Sequence, residues 1–324
     1  MIIFKNVTKR FADGTFAIRP MDLEIKKGEF FVLVGPSGSG KTTTLKMINR
    51  LVEQSEGSIT INGKTLSEYK IDELRWRIGY VLQQIALFPH MSVEENIAVV
   101  PELRKWKKER IDVRIDELLM MVGLDPSIYR QKKPQELSGG QQQRVGVVRA
   151  LAAEPDILLM DEPFSALDPI SREKLQDDLL QLQREIKKTI VFVTHDIKEA
   201  FKLGDRICVM KEGAIVQVGR PDELLYSPAE PFIKEFIGEM VTLGKHLDGL
   251  SLLNNHTDRN HEYIGMKSVR VEDGTAKILS CLQQVDAVRM IKDGEFIGVL
   301  KRDNLLEYAV DFLKKERESH DWNC

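Results

Sequence analysis

The chain is poor in cysteine, and the little it has is scattered. Cys208, Cys281 and Cys324 are the three present, with no Cys-x-x-Cys spacing among them. That argues against a disulfide framework or a zinc site built on paired thiolates, and a reducing compartment is the expectation. Long apolar runs are lacking too. No stretch reaches about 18 consecutive apolar residues, so no segment reads as a bilayer-spanning helix. The N-terminal MIIFKNVTKRF has none of the apolar core a signal peptide needs. Positive charge is not in excess either: 47 Lys and Arg stand against 50 Asp and Glu, a formal charge of −3. Nothing in that balance points to nucleic acid as the main partner. The 324 residues exceed what one small core organises and suggest roughly two domains.

What is present alternates between strand-like and helix-like stretches. Short apolar runs mark strands at 2–4, 16–18, 23–25, 30–34, 57–63 and 78–82, and the run at 30–34 is continuous enough to be buried on both faces. Residues 41–51 have helical character. From 92 to 153 helices dominate. Ser92 with Glu95 makes a capping-box start, and Ile111, Ile115, Leu118, Leu119 and Val122 line one helical face. Strand character returns at 157–160 and 190–193, around a charged helix with Leu175, Leu179 and Leu182 at core spacing. Strand, helix, strand with apolar strands implies a parallel sheet and an α/β fold. Residues 208–210 and 214–218 read as a hairpin, and 223–238 as helical with breaks at Ser227-Pro228 and Glu230-Pro231. The polar stretch 243–262 reads as a linker. Beyond it, strands at 268–271, 287–291 and 296–301, a helix near 275–283 and a helix from Asp303 make a small β-α-β-β-α module. The expected domains are 1–240, with a helical part at about 92–153, a linker at 241–264, and the module at 265–324.

Three strand ends carry candidate chemistry. Gly35-Pro36-Ser37-Gly38-Ser39-Gly40-Lys41-Thr42 matches the phosphate loop G-x-x-x-x-G-K-[ST] at every fixed position, after an apolar strand and before a helix. Its glycines let several N–H groups face one anion, and the helix adds its positive end. Lys41 is placed to neutralise β- and γ-phosphates, and the Thr42 hydroxyl to bind Mg²⁺. The run at 157–160 ends in Asp161 and Glu162, where a doubly wound sheet binds its ligand. Asp161 can hold Mg²⁺ and Glu162 can polarise a water. His195 ends a third strand. A lone histidine is more often structural, but from this crevice an imidazole can reach a γ-phosphate. Ser138, Gly139, Gly140 and Gln141 open a further helix as a second anion cradle. One nucleotide needs one cradle, so this is either a plain cap or it serves a nucleotide held by another copy.

Together GPSGSGKT, Gln83 before ALFPH, LSGGQ, ILLMDEP, SALD at 165–168 and His195 resemble the ordered motifs of an ABC transporter ATPase, over roughly residues 1–238. The resemblance implies a P-loop NTPase cassette: a mixed-sheet core, an antiparallel β subdomain and a helical subdomain. It also implies a head-to-tail homodimer that closes on ATP and reopens on hydrolysis. The implied ATP-binding set is Phe11, Gly35, Pro36, Ser37, Gly38, Ser39, Gly40, Lys41, Thr42 and Thr43, completed in trans by Ser138, Gly139, Gly140, Gln141 and Asp168. Phe11 stands where Tyr is commoner, and keeps the aromatic face that stacking on adenine needs. Glu162, His195, Gln83 and Lys41 are the implied catalytic residues. Thr42, Gln83 and Asp161 are the implied Mg²⁺ ligands, with Gln83 also sensing the permease.

The stretches from QELSGGQQQRVG and from KTIVFVTHDIKEAF resemble importers of quaternary amines such as glycine betaine, carnitine and choline; amino-acid and polyamine importers share much of them. The tail through AVRMIKDGEFIGVLKRDNLLEYAV looks like one CBS repeat. Since 243–267 is too short for a second, the repeat must pair across the dimer or survive as a remnant. The implied protein is a peripheral ATPase on the cytoplasmic face of the membrane, working with an integral-membrane permease and an extracytoplasmic substrate-binding protein or domain. A soluble ABC ATPase acting on DNA or ribosomes fits less well, since two cassettes in one chain or a long coiled-coil insertion is absent. A nucleotide-binding module without turnover conflicts with an intact Glu162 and His195. The cluster Arg104-Lys105-Trp106-Lys107-Lys108 reads as a solvated helix face or a contact for lipid headgroups or a permease loop.

Overall fold

The computed structural model describes residues 1–83, 86–165, 167–238, 267–270, 278, 281–282, 285, 287–292 and 295–301. The chain divides into two units, Met1–Phe236 and Ile237–Cys324.

The first unit opens with β1 (Ile2–Arg10) and β2 (Phe16–Ile25), an antiparallel pair. The expected breaks between 16–18 and 23–25 do not occur: β2 is one strand. Pro20 has no N–H to donate, and the register shift between the Val7–Met21 and Lys9–Ile18 pairs absorbs it. Then follow β3 (Phe30–Val34), α1 (Lys41–Ile48), β4 (Glu56–Ile61), β5 (Lys64–Thr65), α2 (Ile71–Trp76) and β6 (Ile78–Val81). The helix expected over 41–51 stops at Ile48. Arg50 is left-handed at φ 52° and the N–H groups of Leu51 and Val52 both turn back to the Lys46 carbonyl, which closes the helix end.

A helical stretch comes next: α3 (Val93–Leu103), α4 (Lys108–Met121), α5 (Pro126–Tyr129) and α6 (Gly139–Leu151). The Ser92 capping box is present, its hydroxyl accepting from the Glu95 N–H and Glu95 accepting from the Ser92 N–H. The basic cluster at 104–108 is the C-cap of α3, a short loop and the first residue of α4. The Arg104 guanidinium bonds the Ala153 carbonyl, and Arg110 lies 3.5 Å over the Trp106 ring. The chain returns to the sheet with β7 (Ile157–Asp161), α7 (Pro169–Ile186), β8 (Thr189–Thr194), α8 (Ile197–Leu203), β9 (Arg206–Lys211) and β10 (Ala214–Gly219), then α9 (Pro221–Tyr226) and α10 (Pro231–Ile237).

Two sheets result. One is antiparallel, in the order β2-β1-β4-β5; the other runs β10-β9-β3-β8-β7-β6, parallel except for the β9–β10 hairpin. Alternate residues of the larger sheet, Phe31, Leu33, Leu159, Val191 and Val193, share a core with Leu45, Met47 and Ile48 of α1 and with Ile2, Phe4 and Ile59 of the smaller sheet. The opposite face packs Phe192 against Phe30 and Phe164. Covering on both sides explains why β3, β7 and β8 are unbroken apolar runs.

In the second unit β11 (Ser268–Arg270) pairs parallel with β12 (Ala287–Lys292), which pairs antiparallel with β13 (Glu295–Lys301). Val269, Ile278, Leu282, Val288, Met290 and Leu300 form its core. The expected linker and the final helix from Asp303 lie outside the described residues.

Candidate functional site

Parallel pairing in register brings four strand ends to one edge. Val34 is opposite Thr194, Asp161 opposite Val193 and Val81 opposite Met160. Gly35, Glu162, His195 and, two residues beyond β6, Gln83 therefore follow strands that end side by side.

The loop after β3 is walled in from behind. Gly35, at φ 155°, lies so close to β9 that a Cβ would come 2.1 Å from the Met210 carbonyl oxygen. At Gly40, left-handed at φ 97°, a Cβ would meet Ile18 at 2.5 Å and the Ala17 carbonyl at 2.7 Å. Only glycine fits both places. The Ser39 carbonyl accepts from the Gly213 N–H at 3.2 Å, while the buried Ser39 hydroxyl has no partner. Pro36, Ser37 and Gly38 face outward. No side chain caps α1, and the N–H groups of Lys41, Thr42 and Thr43 have no acceptor among the described residues.

Lys41 is 5% exposed, and its ammonium donates to the carbonyls of Gly35 at 2.8 Å and Pro36 at 2.9 Å. An ammonium has three protons, so one donor remains unused. Burial holds its pKa below the ordinary lysine value, and the charges of Glu162 and Asp161 pull it partly back. A nearly buried cation with a spare donor, beside three unpartnered N–H groups, fits an anion such as a nucleotide's phosphates.

The Thr42 hydroxyl donates to Asp161 Oδ1 at 2.7 Å. Asp161 Oδ2 accepts from the Tyr80 hydroxyl at 3.4 Å, and burial followed by the Asp161 charge pushes the Tyr80 pKa well up. Two hard oxygens so placed suit Mg²⁺, which is usually held by one or two carboxylates plus phosphate oxygens. No cluster of three or more His, Cys, Asp or Glu side chains able to hold a metal by itself occurs among the described residues.

Glu162 sits in the left-handed region at φ 44°, a conformation costing about 1–3 kcal/mol for a non-glycine residue. Its N–H is held by the Val193 carbonyl at 3.0 Å. Its Oε2 is 3.1 Å from His195 Nδ1 and accepts from Gln83 Nε2 at 3.3 Å. One carboxylate oxygen thus gathers an imidazole and an amide, with Glu162 19% exposed and His195 59%.

The remaining candidates lie apart from this cluster. Phe11, 49% exposed, stands in the β1–β2 turn; Phe16 across the turn is 46% exposed and was not singled out in the sequence. Ser138 caps α6, accepting from the Gln141 N–H at 3.3 Å while Gln141 Oε1 accepts from the Ser138 N–H at 3.0 Å. A Cβ at Gly139 would meet nothing within 4 Å, and one at Gly140 would lie 3.6 Å from Ser171. Asp168 caps α7 through the Ser171 N–H at 3.0 Å. No hydrogen bond among the described residues joins 138–141 to the loop at 35–43. Sequence reasoning also missed Tyr80, whose only signal was a phenol near the end of a short apolar strand.

A family model described as "ABC transporter" matches residues 18–165. A glycine betaine/carnitine/choline transport ATP-binding protein of Bacillus subtilis is 56% identical over 239 residues, 74% of this chain and 63% of that protein. A choline transport ATP-binding protein of the same organism is also covered over less than two thirds of its length, 62%. An osmoprotectant import ATP-binding protein of Salmonella typhimurium is 52% identical over 307 residues, 93% of this chain and 79% of that protein. Among solved structures, a dimeric post-hydrolysis ATP-binding cassette bound to ADP and Pi is 39% identical, with a TM-score of 0.61, covering 68% of this chain and 99% of that one. The phosphate loop at one of the aligned strand ends and these likenesses agree: the chain belongs to the ABC transporter family, among its ATP-binding proteins.

Proposed function

We propose that the chain is the ATP-hydrolysing subunit of an importer, driving uptake of a quaternary-amine osmoprotectant of the glycine betaine, carnitine or choline type through a separate membrane permease. The observation that carries this reading is the meeting of His195 and Gln83 on one oxygen of Glu162, next to the Thr42–Asp161 pair. Lys41 and the free N–H groups of α1 bind the phosphates, and Phe11 offers its exposed ring to adenine. Thr42, Asp161 and Gln83 would hold Mg²⁺, which supplies positive charge opposite the phosphoryl group when bound. Glu162 takes the proton of the attacking water, and His195 orients the carboxylate that does so.

Ser138, Gly139, Gly140, Gln141 and Asp168 act on a nucleotide held by a second copy, so the working unit is a homodimer. The exposure of Ser138 and Gly139, and the lack of a hydrogen bond among the described residues from 138–141 to this chain's own phosphate loop, support that assignment for the turn at 138–141. No helix among the described residues is long and apolar enough to cross a membrane. The relatives' names as transport and import ATP-binding proteins support a setting on the cytoplasmic face of a permease, with an extracytoplasmic substrate-binding protein or domain delivering the solute. The names of the relatives favour a quaternary amine over an amino acid or polyamine. Residues 265–324 are assigned as a CBS-like module, supported by the parallel β11–β12 pair and the β12–β13 hairpin.

Glu162→Gln tests the chemistry. Steady-state hydrolysis should fall about 10²- to 10⁴-fold with ATP binding retained, and unchanged turnover would remove Glu162 from its role. Uptake of labelled betaine, carnitine and choline by cells lacking the chain, with and without its return, identifies the solute.

A further inference from the structure

The turn that carries His195 is held from behind by groups the hydrolytic cluster does not use. Thr194, 2% exposed, donates its hydroxyl to Glu199 Oε2 at 2.6 Å and accepts the Asp196 N–H at 3.0 Å. Its oxygen thus pins both flanks of His195. Glu199 is 6% exposed and also accepts from Gln176 Nε2 of α7 at 3.4 Å. Burial raises the Glu199 pKa, and the Thr194 hydrogen bond opposes that rise.

Arg172 reaches this network from the other side. It lies in the first turn of α7, just after Leu167 and Asp168, and its Nη2 donates to the Leu167 carbonyl at 3.3 Å. Its Nη1 is 3.9 Å from Asp196 Oδ2 and its Nε 3.9 Å from Glu199 Oε1. Neither distance is a hydrogen bond, and Arg172 Nε is buried without a partner. A buried donor left unmade is costly, and a shift of about 1 Å would bring it to an acceptor.

We propose that Arg172 is a positioning residue that couples Leu167 and Asp168 to His195, closing onto Asp196 and Glu199 when those two residues move inward. Asp168 is assigned above to act on the nucleotide of a second copy. Movement there is thereby passed to the turn that orients His195 against Glu162. The inference rests on the proposed hydrolytic role of His195 and Glu162.

The test is ATP turnover and nucleotide affinity of the full chain as wild type, R172A, R172K, H195A, R172A/H195A and E162Q. R172A should lower kcat about ten- to a hundredfold, the scale of a small misplacement of reacting groups, and leave ATP affinity within about twofold. R172K should recover part of the loss, keeping the charge without the planar fork. On the H195A background, R172A should add less than about twofold, because both act through one group. The coupling is overturned if R172A turns over as wild type, or if it costs as much with His195 absent as with it present. Should R172A fail to fold by circular dichroism, R172Q takes its place in the same cycle. If E162Q is as active as wild type, the hydrolytic reading itself fails; if E162Q is inactive and R172A is unimpaired, only the coupling fails.

Discussion

The turn at 35–42 and the turn at 138–141 both set glycines and N–H groups at the start of a helix, yet the first is walled in and the second stands open. Behind Gly35 the Met210 carbonyl leaves no room for a methyl group, while a Cβ at Gly139 would touch nothing. Lys41 is nearly buried and committed to two carbonyls of its own loop; Ser138 is exposed, and its hydroxyl and N–H close a cap with Gln141. A cradle built into a sheet edge can bind by itself. A cradle that closes only its own cap presents its outer face for something else, and in the proposed dimer that is the partner's nucleotide.

Alanine at the two glycines should separate these roles most sharply. Gly35→Ala should lower stability by about 3 kcal/mol in urea denaturation, through collision with backbone, and abolish nucleotide binding. Gly139→Ala should leave stability within about 0.5 kcal/mol, as for a surface change away from special features, while turnover falls. Equal stability losses would erase the contrast. Next in size is complementation. Lys41→Ala and Gly139→Ala chains, each poorly active alone, should regain turnover when mixed, because a mixed dimer holds one site with neither change. No gain on mixing would mean that the open turn serves its own chain.

Ser138→Ala removes the acceptor for the Gln141 N–H and should cost about 1 kcal/mol of stability, the usual worth of an N-cap. The smallest effect concerns Lys41. Its folded pKa lies below the unfolded value of 10.5, so its burial weakens the fold at neutral pH. That deficit shrinks as pH rises through the lowered pKa and disappears above 10.5. Asp161→Asn removes a charge that pulls the pKa back up, so the Lys41 amine, followed by NMR, should titrate lower than in wild type.

Much of this was readable along the chain. The apolar runs at 30–34, 157–160 and 190–193 became β3, β7 and β8 because strands covered on both faces show no alternation. Ser92 and Glu95 capped α3 because a capping box is satisfied within four residues. The misreadings were also local in origin. The runs at 16–18 and 23–25 looked like separate strands, but they join in β2, where a register shift with β1 absorbs Pro20, and that depends on the neighbouring strand. The end of α1 was overshot because Arg50, a residue with no bias to left-handed backbone, adopts that conformation.

The site divides the same way. The residue types and order of the phosphate loop, Asp161, Glu162, His195 and the turn at 138–141 were set by the sequence alone, since each belongs to a short motif whose backbone needs are local. Which of them meet was decided by the tertiary structure. Gln83, Glu162 and His195 are 33 to 112 residues apart, and they share one carboxylate oxygen because β6, β7 and β8 pair in one register. The same folding put Met210 behind Gly35, left Lys41 a spare proton and brought Arg172 within 3.9 Å of two carboxylates. Distances between residues far apart along the chain follow from the stacking of strands, and no motif encodes them.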